Sequence, residues 1–253
     1  VNVPSAELDQ RQQLFSRLRA LQVDRGWFLK LMDASLLRHF PQRVETLSAE
    51  SLEDAQIRRV WMELAEEWLA RIELLSPAIR ARMGRLQDDD WEQSGQALQQ
   101  QGVHPRVVEH LVSAGAQNLL LGTMQGRKPT EPFRQFWMAA AMKSLGDVEI
   151  ERLAARPMEP TTKSLPIPAG GARLVLVEVP VGEVLALGIN GTPLMQMTVF
   201  GVNGDVVEER GPLRVAWITP EAGSPLQVLV TNEGVSSSVF RLSCLVDRPL
   251  PPR

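Results

Sequence analysis

The stretch MTVFGVNGDVVEE, residues 197–209, decides how the C-terminal part of the chain folds. It places Asn203-Gly204 between an apolar run and a valine pair. An Asn-Gly pair flanked by apolar residues is a strong local signal for a β-hairpin, because these two residues adopt the positive φ angles of a tight turn. The stretch therefore predicts a hairpin turn whose corner is Asn203-Gly204, with Val199 and Val206-Val207 as its apolar flanks.

The same periodicity of two extends in both directions from this hairpin. Short alternating segments are separated by Gly, Pro, Asn and Ser, and no helical segment interrupts them. Such a series is typical of an antiparallel β-sandwich or jelly roll. We expect residues 172–250 to form this domain, with strands at 173–179, 183–189, 194–200, 213–218, 226–230 and 239–246.

Residues 1–155 show helical periodicity instead. The clearest apolar stripe follows a capping box at Ser51–Asp54 and comprises Ile57, Val60, Trp61, Leu64, Trp68 and Ile72. Similar stripes predict seven or eight helices, the last of them a short one that ends at Ala155. Since each helix must bury its apolar face against others, we expect a helical bundle or an orthogonal array.

Between the two halves lies RPMEPTTKSLPIPAGG, residues 156–171, which contains four prolines. A helix cannot continue through these prolines, so the stretch is interpreted as a linker. The predicted fold class is therefore a two-domain all-α plus all-β protein, with a helical domain followed by a jelly-roll-like sandwich.

Composition excludes several classes of protein. The formal net charge of -3 over 253 residues argues against nucleic-acid binding, which usually requires a basic surface. No run of about eighteen apolar residues occurs, so no transmembrane segment is predicted. Cys244 is the only cysteine, and an intramolecular disulfide is therefore excluded.

The C-terminal third resembles the bacterial pre-peptidase C-terminal domain, a small β-sandwich found on exported proteins. Four stretches carry the resemblance: VEVPVGEVLALGI (177–189), MTVFGVNGDVV (197–207), VAWITPEAGSPLQVLVTNEG (215–234) and SSSVFRLSCLV (236–246). The segment PLMQMTVFG (193–201) lacks the acids and the tyrosine that many members carry there, and acids that bind calcium in some members have no match. The resemblance implies export to the periplasm or secretion, with a cytoplasmic location as the alternative. It also implies an accessory role for this domain, and it implies no calcium site.

The motif HPRVVEH holds the polar residues that could form a site: His104, Arg106, Glu109 and His110. The two histidines are six residues apart and so lie on different faces of a helix, whereas zinc ligands on a helix are three or four apart. No metal site is predicted. A polar binding or acid–base site is one interpretation, and the other makes His104 a helix N-cap and His110 a half-exposed surface residue.

Trp61 and Trp68 lie seven residues apart on one predicted helix. Aromatic residues at this spacing could line a groove for an apolar ligand or a protein partner. They could equally belong to the helical core, as most such residues do.

The sequence contains no G-x-S-x-G, S-x-x-K, G-x-x-x-x-G-K-[ST] or G-x-G-x-x-G motif, patterns that are typical of nucleophilic catalysis and of phosphate or dinucleotide binding. No catalytic residue and no cofactor are predicted. Our first hypothesis is a non-enzymatic exported bacterial protein, whose helical domain binds a protein partner or a ligand and whose sandwich is an accessory module. One alternative is an enzyme with its site in the helical domain or between the domains, and the other is a helical carrier of an apolar ligand.

Overall fold

The structure, a computed structural model, describes residues 3–42, 54–117, 124, 126–180, 183–210, 214–218 and 225–247. Within these ranges helices come first and strands follow, which confirms the predicted all-α plus all-β fold class. The helices are α1 (Ser5–Ala20), α2 (Arg25–His39), α3 (Ala55–Glu73), α4 (Pro77–Arg80), α5 (Asp88–Gln100), α6 (Pro105–Gln117) and α7 (Pro132–Asp147). None of the helices in the described part is both long and apolar enough to cross a membrane.

The strands make up two sheets. They are β1 (Glu149–Ala154), β2 (Thr161–Ile167), β3 (Ala172–Glu178), β4 (Val184–Asn190), β5 (Met195–Phe200), β6 (Val206–Arg210), β7 (Arg214–Ile218), β8 (Leu226–Asn232) and β9 (Ser238–Asp247). One sheet has the order β1-β3-β8-β5-β6 and the other the order β2-β9-β4-β7. The β1–β3 pair is parallel, and the other pairs are antiparallel.

Side-chain caps explain where the helices begin. The Asp24 carboxylate accepts the Trp27 N–H at 2.7 Å at the start of α2. Asp54 accepts the N–H groups of Gln56 and Ile57 at 2.9 and 3.2 Å and caps α3. Each cap pairs backbone donors that have no partner within the helix. Asp54 ends the predicted capping box, whereas its Ser51 lies outside the described residues.

Contacts between Cα atoms divide the chain into two compact units. Unit 1 comprises Val1–Ser94 and Val112–Ser144, and unit 2 comprises Gly95–Leu111 and Leu145–Arg253. The core of unit 1 is formed by large buried side chains of the helices, among them Phe28, Leu31, Met32, Leu69, Ile72 and Phe136. The core of unit 2 is filled by side chains from both sheets, among them Ile167, Leu187, Val199, Val228, Phe240 and Cys244.

A buried glutamine organises the loops of unit 1. Gln135 of α7 is 2% exposed. Its Oε1 accepts the N–H groups of Gly84 and Leu86 at 2.9 and 3.0 Å, and its Nε2 donates to the carbonyls of Leu86 and Pro129 at 2.8 and 2.7 Å. Four backbone groups of two loops are thereby paired by one side chain, as buried polar groups require.

Two predictions about the middle of the chain are wrong. Residues 149–154 form strand β1 rather than the end of a helix, and residues 161–167, within the predicted linker, form strand β2. Each strand lies at the edge of its sheet. Proline disrupts the interior of a helix but is tolerated in an edge strand, because the backbone on one side of an edge strand needs no hydrogen-bond partner. Pro166 accordingly lies within β2, opposite Val239.

The predicted hairpin joins β5 to β6, but its turn differs from the predicted one. Among the described residues, Gly204 has a positive φ of 77°, whereas Asn203 does not have a positive φ. The Gly204 N–H donates to the Gly201 carbonyl at 2.9 Å, and the Gly201 N–H donates to the Asp205 carbonyl at 2.9 Å. The register shifts between Val199 and Phe200. This is a three-residue loop that closes with a glycine bulge, in which only the last loop residue needs a positive φ.

Candidate functional site

A cavity lies between α1 and the first half of α3, both in unit 1. Its volume is about 450 Å³, and we call it the α1–α3 cavity. It is lined by Val3, Glu7, Leu8, Gln10, Arg11, Ala55, Ile57, Arg58, Arg59, Trp61, Met62 and Glu63. The volume falls within the range of about 300–1,000 Å³ that is usual for small-molecule sites.

One part of the cavity wall is apolar. Trp61 and Ile57 are 2% and 4% exposed and join the wall to the helical core. Leu8, by contrast, is 48% exposed although it is a large apolar residue. An apolar ligand in the cavity would remove Leu8 from water, which is favourable.

Charged side chains also line the cavity. The Arg58 Nε donates to Glu7 Oε2 at 2.6 Å, and Arg58 is the more buried member of this pair. The Arg11 guanidinium lies 4.6 Å from the centroid of the Trp61 ring, at cation–π distance. Among the residues that the structure describes, three arginines and two glutamates line the cavity.

The indole N–H of Trp61 has no hydrogen-bond acceptor among the described residues, although it is buried. An unpaired buried donor costs about 1–3 kcal/mol. Other indoles of this unit are paired: Trp68 donates to Ser35 Oγ at 2.8 Å and Trp91 donates to Asp88 Oδ1 at 3.0 Å. Trp27 also carries a buried indole N–H without an acceptor, but it does not line the cavity.

The structure separates the two tryptophans that the sequence analysis grouped. Trp61 lines the α1–α3 cavity, whereas Trp68 does not. The Trp68 ring packs against Phe136, with 4.9 Å between ring centroids, and against Phe133 at 5.9 Å. Its contacts are those of a core residue, and a binding role for the pair stays a prediction.

The polar residues of HPRVVEH lie in unit 2, where three of them contact the sandwich. His104 precedes α6, and its Nδ1 accepts the Arg106 N–H at 3.1 Å, as a helix cap does. Arg106 forms an ion pair with Asp205 of the β5–β6 loop, and both side chains are more than half exposed. The His110 ring packs edge-on against Phe200, with 5.2 Å between ring centroids. Glu109 is exposed.

A residue that the sequence analysis did not single out holds this segment to the sheet. Gln227 of β8 is 4% exposed. Its Oε1 accepts the His104 N–H at 3.1 Å, and its Nε2 donates to the Gly102 carbonyl at 3.2 Å. In the sequence, the feature that could have drawn attention to Gln227 is its position as a polar residue inside the apolar run 226–230. These contacts account for His104, Arg106 and His110 structurally, and their predicted binding role stays a prediction.

The described residues contain no group of three or more His, Cys, Asp or Glu side chains that could hold a metal ion. Cys244 of β9 is 2% exposed, and burial raises the pKa of its thiol. A raised pKa makes the thiolate scarce at neutral pH, so Cys244 is a poor nucleophile in the folded protein.

No family model and no curated protein sequence matches this chain. Solved structures do match it over little more than a third of its length. A periplasmic inhibitor of g-type lysozyme from Aeromonas hydrophila is 9% identical, with a TM-score of 0.34, and the match covers 39% of this chain and 98% of that chain. The pre-peptidase C-terminal domain of a collagenase from Bacillus anthracis is 11% identical, with a TM-score of 0.31, covering 38% and 94%.

The mitogen of Yersinia pseudotuberculosis is 14% identical, with a TM-score of 0.30, and the match covers 37% of this chain and 90% of that chain. Similarities of this size carry no information about what the protein binds.

Proposed function

We propose that the protein is a non-enzymatic binding protein, exported by a bacterium, in which unit 1 takes up a small ligand with an apolar body. The α1–α3 cavity is the binding site, and the β-sandwich is an accessory module. The observation that carries the proposal is the cavity itself. It has the volume of a small-molecule site, and Trp61, Ile57 and Leu8 provide an apolar surface within it.

The contacts of the HPRVVEH residues support an accessory rather than a catalytic role for unit 2. His104 serves as a helix cap, and Arg106 and His110 contact residues of the sandwich. Export is proposed because the C-terminal third resembles a domain that exported proteins carry.

The test is a direct binding measurement on the whole chain. Straight-chain probes with an apolar body, both alkanols and fatty acids, are titrated by isothermal calorimetry below the concentrations at which they form micelles. Native mass spectrometry of the purified protein shows in parallel whether a ligand co-purifies. We expect one saturable site per chain for at least one probe class.

A variant that fills the cavity tests whether the ligand binds there. Ala55 lines the cavity and is exposed, so Ala55→Trp adds an indole at the cavity without displacing a core side chain. We expect the variant to bind at least about tenfold more weakly, because the added ring excludes the ligand. Ala78→Trp is the matched control, since Ala78 is also exposed near the start of a helix but does not line the cavity. Equal affinities of the two variants would place binding elsewhere, and absence of binding by every probe would refute the proposed function.

A further inference from the structure

We infer that Asn190 is a site of spontaneous chemical modification, at which the side-chain amide is converted to a carboxylate through a cyclic imide. This inference does not depend on the proposed function. The reaction is easiest at Asn-Gly, because glycine has no side chain to hinder the approach of its backbone nitrogen. The chain contains two such pairs, Asn190-Gly191 and Asn203-Gly204. Both asparagines are exposed, so neither the dipeptide nor the exposure distinguishes them.

The reaction has two steps and needs only water. In the first step the deprotonated Gly191 nitrogen attacks the Asn190 Cγ, the new C–N bond closes the imide, and ammonia leaves. In the second step water opens the imide at either carbonyl, which gives aspartate or isoaspartate. One water is consumed, one ammonia is released, and no atom is oxidised or reduced. The state of the glycine N–H in the folded protein therefore controls the rate of the first step.

The Gly204 N–H is held within the β5–β6 turn. It donates to the Gly201 carbonyl at 2.9 Å, and this hydrogen bond must break before the nitrogen can attack. Gly204 is also buried, and a Cβ built on it would lie 2.7 Å from His104 Cε1 and 2.8 Å from Arg106 Cβ. This close packing opposes the backbone rotation that brings the Asn203 side chain over the Gly204 nitrogen. The fold therefore protects Asn203.

The Gly191 N–H is in the opposite situation. Asn190 is the last residue of β4 that pairs with β9, and Gly191 follows at a bend outside this ladder. The Gly191 N–H donates to no residue that the structure describes. The end of a strand also opens at a lower free energy than its middle, so the Asn190 backbone reaches the geometry of attack more readily. The attacking nitrogen at this pair has no competing acceptor to leave.

The modification adds a negative charge at the end of β4. In the aspartate product the new carboxylate lies opposite Arg241 of β9, which is exposed and pairs with position 190. Residues that are paired in this way have Cβ atoms about 4.5–5.5 Å apart, and opposite charges at such positions are stabilising. In the isoaspartate product a side-chain carbon enters the main chain, so the regular ladder ends before this residue.

The experiment follows both asparagines while the full chain is incubated in mildly alkaline buffer. Trypsin leaves them in one peptide, residues 174–210, so fragment ions in tandem mass spectrometry assign the mass gain to Asn190 or to Asn203. We expect Asn190 to be converted at least about fivefold faster, because a hydrogen bond holds the nitrogen that attacks Asn203. In concentrated urea the two rates should become similar, since both N–H groups are then exposed to water.

Two matched variants test the assignment without peptide mapping. Asn190→Ser and Asn203→Ser replace exposed residues and should fold, which circular dichroism checks. Ion-exchange chromatography should show that an acidic form accumulates more slowly in Asn190→Ser and at the unchanged rate in Asn203→Ser. Accumulation in Asn190→Ser at the rate of the unsubstituted protein would overturn the inference. So would equal conversion of both asparagines in the folded protein, or conversion of Asn190 in urea alone, which would show that the end of the ladder protects it.

Discussion

Gly204 has two separate requirements for glycine. Its φ of 77° is unfavourable for residues with a Cβ atom. A Cβ at this position would also lie 2.8 Å from Arg106 Cβ and 2.7 Å from His104 Cε1. We therefore predict that Gly204→Ala lowers the free energy of unfolding by about 2–4 kcal/mol, the sum of backbone strain and overpacking. Urea denaturation followed by circular dichroism measures this value.

Gly170→Ala is the control for backbone strain alone. Gly170 lies in the same unit, has a φ of 64°, and a Cβ there would meet nothing within 4 Å. We expect a loss of only about 1 kcal/mol, the cost of the left-handed conformation. If both substitutions cost the same, the packing of His104 and Arg106 against the hairpin corner contributes nothing.

At the residue scale, the sequence predicted local features better than contacts between distant residues. The hairpin corner at Asn203-Gly204 was predicted because turn chemistry is local. The contact of Gly204 with His104 was not, because it depends on how α6 packs on the sheet. The same limit separates Trp61 from Trp68: seven-residue spacing places both on one helix face, but only tertiary packing decides which of them borders a cavity.

At the scale of elements, the start of α5 depends on the charge of Asp90. The hydrogen bond from the Gln87 N–H, at 2.8 Å, is the largest cause that lowers the pKa of this carboxyl below its ordinary 3.8; burial opposes the shift, and Arg82 adds to it. Because the folded state holds the proton less tightly than the unfolded state, the stabilisation is complete well above pH 3.8 and is lost as the pH falls through the lower, folded-state value.

We predict that Asp90→Asn lowers the free energy of unfolding by about 1 kcal/mol at pH 7, since the amide loses the charge-assisted bonds. The difference from the unsubstituted protein should shrink as the pH falls below 3.8. Urea denaturation at pH 7, 5 and 3 tests this. Asp89→Asn makes the same charge change at an exposed neighbouring position and should have a much smaller effect. A pH-independent difference would contradict the assigned role of the carboxylate.

The attachment of α6 to the sandwich depends more on Gln227 than on the Arg106–Asp205 ion pair. Replacing Gln227 by leucine leaves the His104 N–H and the Gly102 carbonyl without their partner, which costs about 2 kcal/mol. The ion pair is more than half exposed on both sides, and such pairs contribute about 0–1 kcal/mol. We predict that Gln227→Leu accelerates hydrogen exchange at the His104 amide far more than Arg106→Ala does. If Arg106→Ala accelerates the exchange of this amide more than Gln227→Leu does, the attachment depends mainly on the ion pair.

Edge strands mark the limit of prediction from sequence at this scale. Central strands such as β8 carry a run of apolar residues, and the sequence predicted them. The edge strands β1 and β2 carry charged and polar residues among a few apolar ones, and β2 begins after Pro160 and contains Pro166. Their sequences therefore resemble a helix end and a linker, and only the pairing of β1 with β3 and of β2 with β9 distinguishes them.

At the scale of the whole molecule, the boundaries of the sandwich decide which fragment can fold. A fragment of residues 172–253, cut where the sequence predicted the domain to begin, lacks β1 and β2. It thereby loses four members of the unit 2 core, namely Leu153, Ala155, Leu165 and Ile167. It also lacks the partner of β9 at Cys244, because Cys244 pairs with Thr161 of β2. The free energy that is lost with these buried apolar side chains is expected to exceed the free energy of unfolding of a small domain.

We predict that Cys244 reacts rapidly with a thiol reagent in the fragment 172–253 and slowly in the fragment 145–253, which keeps both strands. The buried thiol, whose pKa is raised by burial, reacts only when the sandwich opens, so the labelling rate reports folding. Labelling of each fragment in concentrated urea is the control, since both rates should then be equal. Equal protection of Cys244 in the two fragments without urea would show that β1 and β2 are dispensable, and the sandwich would then begin at residue 172.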